Sequence, residues 1–253
     1  MADSERLNKQ MEFIREIDKE KLIKRQNYIT DAETHENDAE HAWHMAIMTL
    51  LLKEYANEDI DVLKTITMLL IHDLVEVYAG DTYAYDEEAK KTQAEREAKA
   101  ADKLYSILPE DQGEYLKSLW LEFEEQKTPE AKFARTMDNV QPLVLNDATD
   151  GKTWKEHSVK KSWILKRNQR THLGSEAIWE YAKEFLSEIP ELTENAEYSF
   201  MFKVSPSKGN NAAFANTLLY TVFNLQGRKK LNLACHVLDS EDGNNHLWLL
   251  KRK

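Results

Sequence analysis

Hydrophobic residues recur three and four positions apart over most of residues 1–190, the spacing of one face of an amphipathic helix. Within 5–26, this stripe contains Leu7, Met11, Ile14 and Leu22. The same spacing predicts further helices near 38–56, 59–78, 87–107, 111–126, 130–147, 155–170 and 175–188. The gaps between these segments contain residues typical of helix boundaries: Pro109, Pro129, Gly151 and Gly174. The pattern therefore predicts an all-α helical body.

The pattern changes after Pro190, where aromatic and β-branched residues become frequent and apolar positions begin to alternate with polar ones. The predicted strand segments are Tyr198–Val204, Phe214–Leu225, Leu231–Val237 and His246–Leu250, with a hairpin turn at Asp242–Asn245 before the last. We expect two domains, a helical body over 1–192 and a small β-rich C-terminal extension over 193–253. Because so short a segment buries little surface by itself, the extension is expected to pack on the body or on another subunit.

Charge narrows the classes of partner. The 253-residue chain has a formal net charge of −11, although residues 198–253 carry eight Lys or Arg against three acids. An acidic body argues against nucleic-acid binding, since affinity for a phosphate backbone comes from dense Lys and Arg. A small phosphorylated substrate remains possible, because a bound metal ion can reverse the sign of a local field. The basic extension could contact an anionic partner or another subunit, or could simply be solvated.

The chain shows no signal for a membrane or for secretion. Its apolar-rich runs, Ala46–Leu52 and Ile66–Ile71, are far shorter than the roughly 20 residues of a spanning helix. The opening residues lack the basic, apolar and small-residue order of a secretory leader. The single cysteine, Cys235, permits no internal disulfide and suits a reducing compartment. We therefore expect a cytoplasmic protein without a membrane partner.

His72-Asp73 stands out because it lies in an apolar segment, 68–74, that predicts the interior of a helix. A buried polar group without a partner costs about 1–3 kcal/mol. A divalent metal would satisfy both side chains, since imidazole and carboxylate are suitable ligands. Glu76 follows His72 by four residues, so a helix would project both from one face about 6 Å apart. The alternative interpretation is a buried hydrogen-bond network.

His41 precedes this pair and Asp138 follows it, which gives the order H…HD…D along the chain. The chain thereby resembles the HD-domain metal-dependent phosphohydrolases. The surrounding residues, Ala39-Glu40-His41-Ala42-Trp43 and Gly80-Asp81, are similar to the 5′-deoxynucleotidase-like branch, whose enzymes remove the phosphate of a nucleoside monophosphate. The resemblance covers roughly residues 5–190 and implies an all-α HD-domain helical bundle that forms a homodimer.

The resemblance also implies roles for individual residues. Glu76 would be the acid or base, Asp81 would hold the sugar or support Glu76, and Arg25 would bind the substrate phosphate. Gln26 follows Arg25 at a position where nucleotidase members often have tryptophan. One divalent cation (manganese, cobalt, iron, zinc or magnesium) would be held by four residues: His41, His72, Asp73 and Asp138.

Structural interpretations remain for several of these positions. Glu76 could be a surface glutamate, Asp81 a turn or N-cap residue, and Arg25 part of a solvated basic face. His44, one turn after His41, could contact a ligand residue or simply pack. Five tryptophans are predicted to anchor the core: Trp43, Trp120, Trp154, Trp163 and Trp179.

We expect a metal-dependent enzyme that cleaves a phosphate monoester, most simply a (deoxy)nucleoside 5′-monophosphate. Two alternatives remain: an HD hydrolase acting on a triphosphate, cyclic nucleotide or guanosine polyphosphate, or a non-catalytic binding protein with a metal-stabilised core. The sequence contains no glycine-rich phosphate loop and no Ser-His-Asp context, which argues against a P-loop site and against a covalent nucleophile. The expected partners are a small phosphorylated substrate and a second copy of the chain.

Overall fold

The computed structural model describes residues 4–188 and three later strands, 200–204, 233–239 and 246–252. Over 4–188 the chain is mostly helical, as its apolar spacing predicts. None of the helices in these described ranges is long and apolar enough to cross a membrane. The helices are α1 (Ser4–Ile17), α2 (Asp38–Leu52), α3 (Val62–Ile71), α4 (Glu76–Ala79), α5 (Glu87–Tyr105), α6 (Glu110–Glu125), α7 (Pro129–Ala148), α8 (Lys152–Glu156), α9 (Lys161–Arg167) and α10 (Glu176–Glu188).

A two-stranded antiparallel ribbon, β1 (Lys24–Tyr28) and β2 (His35–Asn37), lies between α1 and α2. A 3₁₀ helix, Asp18–Leu22, follows α1, so the predicted helix over 5–26 is wrong from Ile23 onward and the body is not wholly α-helical. The ribbon has polar residues on both faces, so it gives no alternating signal. Its turn is held by Asp31, whose side chain accepts hydrogen bonds from backbone N–H groups two and three residues on.

The HD pair marks the end of a helix, where the sequence pattern predicted an interior. α3 ends at Ile71, and residues 72–75 form a turn in which the Glu76 N–H donates to the Asp73 carbonyl at 2.8 Å. The predicted unbroken helix over 59–78 is thus wrong, and His72 and Glu76 do not share one helix. Both side chains nevertheless line the same cavity.

The predicted helix over 155–170 is also divided. α8 ends at Glu156 and α9 begins at Lys161. Between them, Ser158 adopts a positive φ of 51° and the Val159 N–H donates to the Trp154 carbonyl at 2.8 Å. This turn buries Val159 completely, and burial of its side chain compensates for the lost helical bonds.

Two buried clusters form the core of the helical body, and α7 contributes to both. Met137 belongs to the larger cluster, and Leu143 to the smaller one with Trp154, Val159 and Ile164. Three tryptophans are buried as predicted: Trp120, Trp154 and Trp179. The prediction of a core position is wrong for the other two tryptophans, since Trp43 is 64% exposed and Trp163 is 43% exposed. Helical period identifies a stripe but does not say which stripe the neighbouring helices cover.

The contacts within the chain divide it into two units, Met1–Leu192 and Thr193–Lys253. The second unit contains three strands, β3 (Phe200–Val204), β4 (Leu233–Asp239) and β5 (His246–Arg252). They form an antiparallel sheet in the order β3-β5-β4. Each of them overlaps one of the predicted strand segments. The segment Phe214–Leu225 and the turn Asp242–Asn245 lie outside the described residues.

Candidate metal centre

The four predicted metal ligands converge from three parts of the helical body. His41 lies in α2, His72 and Asp73 lie in the turn after α3, and Asp138 lies in α7. One ligand atom from each of His41, His72 and Asp73 lies within 4.8 Å of the other two. Asp138 Oδ1 lies 3.3 Å from His41 Nε2 and 3.8 Å from His72 Nε2. The fold thus gathers two imidazoles and two carboxylates around one point.

The environment of His72 leaves its Nε2 atom ready to act as a ligand. Nδ1 lies 2.9 Å from the Leu69 carbonyl oxygen, which can only accept, so Nδ1 carries the proton in the neutral ring. Nε2 is buried and has no hydrogen-bond partner among the described residues, although Asp73 Oδ2 lies 3.1 Å away. A cation at this atom would satisfy its lone pair and attract the carboxylate at the same time.

His41 is oriented in the same way through a side-chain amide. Gln141 Nε2 donates to Glu36 Oε1 at 2.5 Å, so the amide oxygen faces His41 Nδ1 at 2.9 Å and accepts a hydrogen bond from it. The lone pair of His41 Nε2 then points toward Asp138 Oδ1, an acceptor facing an acceptor. Such a pair repels unless a cation or a proton lies between the two atoms. The donor set therefore fits a divalent metal.

The surroundings favour the metal-binding protonation states of His41, Asp73 and Asp138. Burial lowers the pKa of His41 to about 4, which keeps its ring neutral. Burial alone would raise the pKa of Asp138, but the positive charges of Arg135 and of protonated His72 hold it well below its usual range. Burial also favours a neutral His72, but the carboxylates of Asp73 and Asp138 outweigh it and raise its pKa to about 9. A proton and a divalent cation thus compete for His72 Nε2.

Replacement of Gln141 by leucine is expected to weaken metal binding about 10- to 100-fold, because His41 loses the acceptor that fixes its ring. Titration calorimetry with the metal-stripped protein measures this change. Gln169→Leu, at an exposed position, is the matched control and should bind metal like the wild-type protein. Equal affinities for all three proteins would show that the amide does not orient His41.

Arg25 reaches the centre from β1. Its Nη1 donates to Asp73 Oδ2 at 2.7 Å and to Asp38 Oδ1 at 3.2 Å, and its Nε lies 3.7 Å from Glu36 Oε2. Burial opposes the charged guanidinium, but the carboxylates of Asp73 and Asp38 outweigh it and raise the pKa of Arg25 above its usual range. Arg25 is therefore a partly buried, permanently charged group that orients Asp73. The alternative interpretation, in which Arg25 belongs to a solvated basic face, is wrong.

Two acids beside Arg25, Glu36 and Asp38, have no role in the sequence interpretation, although both are almost completely buried. Asp38 begins α2 after Asn37, which forms a capping box with Glu40. Acids before and within a first helical turn usually serve as caps at the surface, so their sequence context gives no sign of burial. The capping pattern could have fixed their place at the helix start, but not their contact with Arg25.

Glu76 and Asp81 line a cavity of about 150 Å³ together with Arg25, Asp73 and Asp138. Glu76, the first residue of α4, is 7% exposed, so the surface interpretation is wrong for it. Burial and the neighbouring acids, Asp73 first, raise its pKa. Gly80 adopts φ +74° and ψ 150°, a conformation nearly restricted to glycine, and this turn returns half-buried Asp81 to the cavity.

His44 lies outside the ligand cluster. It is half-buried, and its Nδ1 lies 3.1 Å from Gln141 Nε2. It therefore contacts the amide that orients His41 and makes no direct approach to the ligand atoms in the contacts described. Burial lowers its pKa, which favours the neutral ring.

Several residues that the sequence interpretation did not select complete the cavity. Arg135 donates to Asp138 Oδ2 at 3.0 Å and to Glu124 Oε1 at 2.8 Å, and its guanidinium carbon lies 4.1 Å from the Phe123 ring centre. Further lining comes from the loop after Asp81 and from the end of α9: Tyr83, Tyr85, Arg167 and Asn168. Trp154, predicted as a core residue, also lines the cavity. These side chains come from distant parts of the chain, and no local motif connects them.

Several known proteins are similar to this chain in sequence or fold. A family model described as HD domain matches residues 17–179. A crystal structure titled predicted metal-dependent phosphohydrolase, from Magnetospirillum magnetotacticum MS-1, is 44% identical with a TM-score of 0.71, covering 75% of this chain and 95% of that one. Proteins named 5′-deoxynucleotidase HDDC2 from Bos taurus and Homo sapiens are 29% and 28% identical over 136 residues, or 53% of this chain. The matched region spans 64% and 65% of those two relatives, just under two thirds.

Proposed function

The chain belongs to the HD domain family, and from this premise we propose that it is a divalent-metal-dependent phosphohydrolase that cleaves a phosphate monoester. The proposed substrate is a (deoxy)nucleoside 5′-monophosphate, which yields a nucleoside and phosphate. The observation that carries the proposal is the convergence of four ligand side chains, three of which line a cavity together with a buried glutamate. The names of the relatives support the substrate class.

The cation would be held by four residues: His41, His72, Asp73 and Asp138. When bound, such a cation lowers the pKa of a coordinated water and neutralises charge on a phosphate. Two imidazole ligands suit manganese, cobalt, iron or zinc better than magnesium, which prefers oxygen. Burial would favour the neutral acid at Asp73, but the charges of His72 and, after it, Arg25 lower its pKa and keep it ionised. Arg25 also holds the carboxylate in position through its hydrogen bond.

Glu76 is proposed to supply the proton that the leaving oxygen needs. Its raised pKa favours the protonated carboxyl, and a carboxyl buried in the cavity wall can donate to an ester oxygen. Asp81, which lines the same cavity, is proposed to hold the sugar or to support Glu76. Arg25 retains guanidinium donors beyond Nη1 for a phosphate oxygen, which is the substrate role proposed for it. Gln26 also lines the cavity, where it would contact the nucleoside side.

Phosphate release from a panel of nucleotides tests the function. The protein is stripped of metal, given manganese, cobalt, magnesium or zinc, and assayed with nucleoside mono- and triphosphates. We expect metal-dependent release of one phosphate from monophosphates. Pyrophosphate or triphosphate as product would favour the alternative nucleotide hydrolases. No turnover from any nucleotide, with metal bound at one equivalent, would contradict the proposed reaction.

We also propose a homodimer and a separate extension over 193–253. Three apolar residues along one face of α2 remain exposed in the single chain, namely Trp43, Ile47 and Leu50, and such a face favours contact with a second copy. The mass in solution measures the assembly. A cytoplasmic location stays a prediction, based on the single Cys235.

A further inference from the structure

Arg167, the last residue of α9, lines the cavity that three of the proposed metal ligands, His72, Asp73 and Asp138, also line. Three other cations line the same cavity, and each faces a carboxylate. Arg25 and Arg135 pair with metal-ligand carboxylates, and the Lys90 ammonium lies 3.7 Å from Glu87. Within the part of the chain that the structure describes, Arg167 forms no ion pair with a carboxylate. Its charge is thus available to a ligand.

The cavity otherwise has the wrong charge for a phosphate dianion. Besides Glu76, which is proposed to be protonated, it is lined by five acids: Asp73, Asp81, Glu97, Glu124 and Asp138. The charges of Arg25 and Arg135 are largely spent on these acids, so even a bound divalent cation leaves little positive field for the anion.

Hydrogen bonds and packing on either side of Arg167 hold its backbone segment against α7, the helix that contains Asp138. Thr136 and Asn139, which flank Asp138 in α7, donate to the Thr171 carbonyl at 2.7 Å and to Thr171 Oγ1 at 3.1 Å. On the other side, Ile164 is fully buried in the smaller core cluster. The segment is thus fastened to α7 and to the core, and a guanidinium on rigid elements is pre-organised for binding.

We propose that Arg167 binds the non-bridging oxygens of the substrate phosphoryl group in this cavity. This rests on the proposed phosphohydrolase function and adds to it a phosphate contact from α9. The planar guanidinium donates two parallel hydrogen bonds to a phosphate, which a lysine ammonium does not match. Because the contact involves only phosphoryl oxygens, inorganic phosphate is held by it as well as the substrate.

The first test is Arg167→Gln in the full-length, metal-loaded protein. We expect kcat/KM for a nucleoside monophosphate to fall about 10- to 100-fold, the effect of losing hydrogen bonds to a charged group, mainly through KM. The inhibition constant of inorganic phosphate should rise by a similar factor, with metal content unchanged. Arg170→Gln, three residues on at an exposed position, is the control and should match the wild-type protein in all three quantities.

Two further variants separate binding from a purely structural effect. Arg167→Lys should recover part of the lost phosphate affinity, and added guanidinium ion should partly restore an Arg167→Ala variant. A wild-type phosphate inhibition constant and kcat/KM in Arg167→Gln would overturn the inference while leaving the proposed function intact. If the wild-type protein releases no phosphate, the proposed function fails. Calorimetry with inorganic phosphate then decides on Arg167, and equal affinities of wild-type and Arg167→Gln would reject its role.

Discussion

An Asp73→Asn variant is expected to lose its bound metal and to release phosphate at least about a thousandfold more slowly than the wild-type protein. Asp73 lies 3.1 Å from His72 Nε2 and accepts a 2.7 Å hydrogen bond from Arg25. An amide at this position contributes no charge to a cation and leaves the buried Arg25 guanidinium without its nearest partner. Elemental analysis after dialysis, together with the phosphate-release assay, measures both losses.

The matched control is Asp147→Asn, at an exposed position of α7, which should keep full metal content and activity. Circular dichroism checks that both variants are folded. If Asp73→Asn kept one equivalent of metal and activity within tenfold of the wild-type protein, Asp73 would not be a ligand. The metal centre built from these four side chains would then be incorrect.

A Glu76→Gln variant is expected to bind metal normally but to turn over a nucleoside monophosphate about 10²- to 10⁴-fold more slowly. Glutamine keeps the size of the side chain but has no acidic proton to donate. The loss should appear in kcat, because the binding of the substrate phosphate does not depend on this proton. Metal content and steady-state kinetics measured on the same preparation distinguish this outcome from loss of the cation.

A second substrate tests whether Glu76 acts as an acid. An aryl phosphate with a good leaving group needs no proton at the departing oxygen, so Glu76→Gln should lose much less activity on it than on the nucleotide. Equal losses on the two substrates would argue against proton donation. Glu114→Gln, at an exposed position of α6, serves as the control and should behave as wild type on both.

The sequence alone predicted most of the helical body, because helix formation depends on signals that are close together in the chain. The apolar period and boundary residues such as Pro109 and Pro129 predicted most of the helices. The resemblance of the H…HD…D order to the HD-domain phosphohydrolases pointed to the residues that meet at the candidate centre, since none of these short motifs identifies a ligand by itself. Three buried tryptophans were predicted for the same reason: a wide apolar stripe must be covered.

Only the tertiary structure decided which groups support that centre. The pairs Gln141–Glu36 and Gln141–His41 join residues 105 and 100 positions apart, and no local period encodes such contacts. Asp38 and Arg135 look like ordinary charged helix residues until the fold places Asp38 against Arg25 and Arg135 against Asp138. The break of α3 at Ile71 was likewise hidden, because an apolar stretch on both sides of His72 favours continuation.

The solvent exposure of individual side chains likewise depended on contacts between distant segments, which the local sequence pattern does not contain. Helical spacing placed Trp43 and Trp120 on apolar stripes alike, but one is 64% exposed and the other is buried. Arg167 was indistinguishable by sequence from Arg170, and the anchoring of Thr171 to α7 places one of them in the cavity. The sequence therefore determined the helices and the ligand types, while packing between distant segments decided burial, charge pairing and the shape of the site.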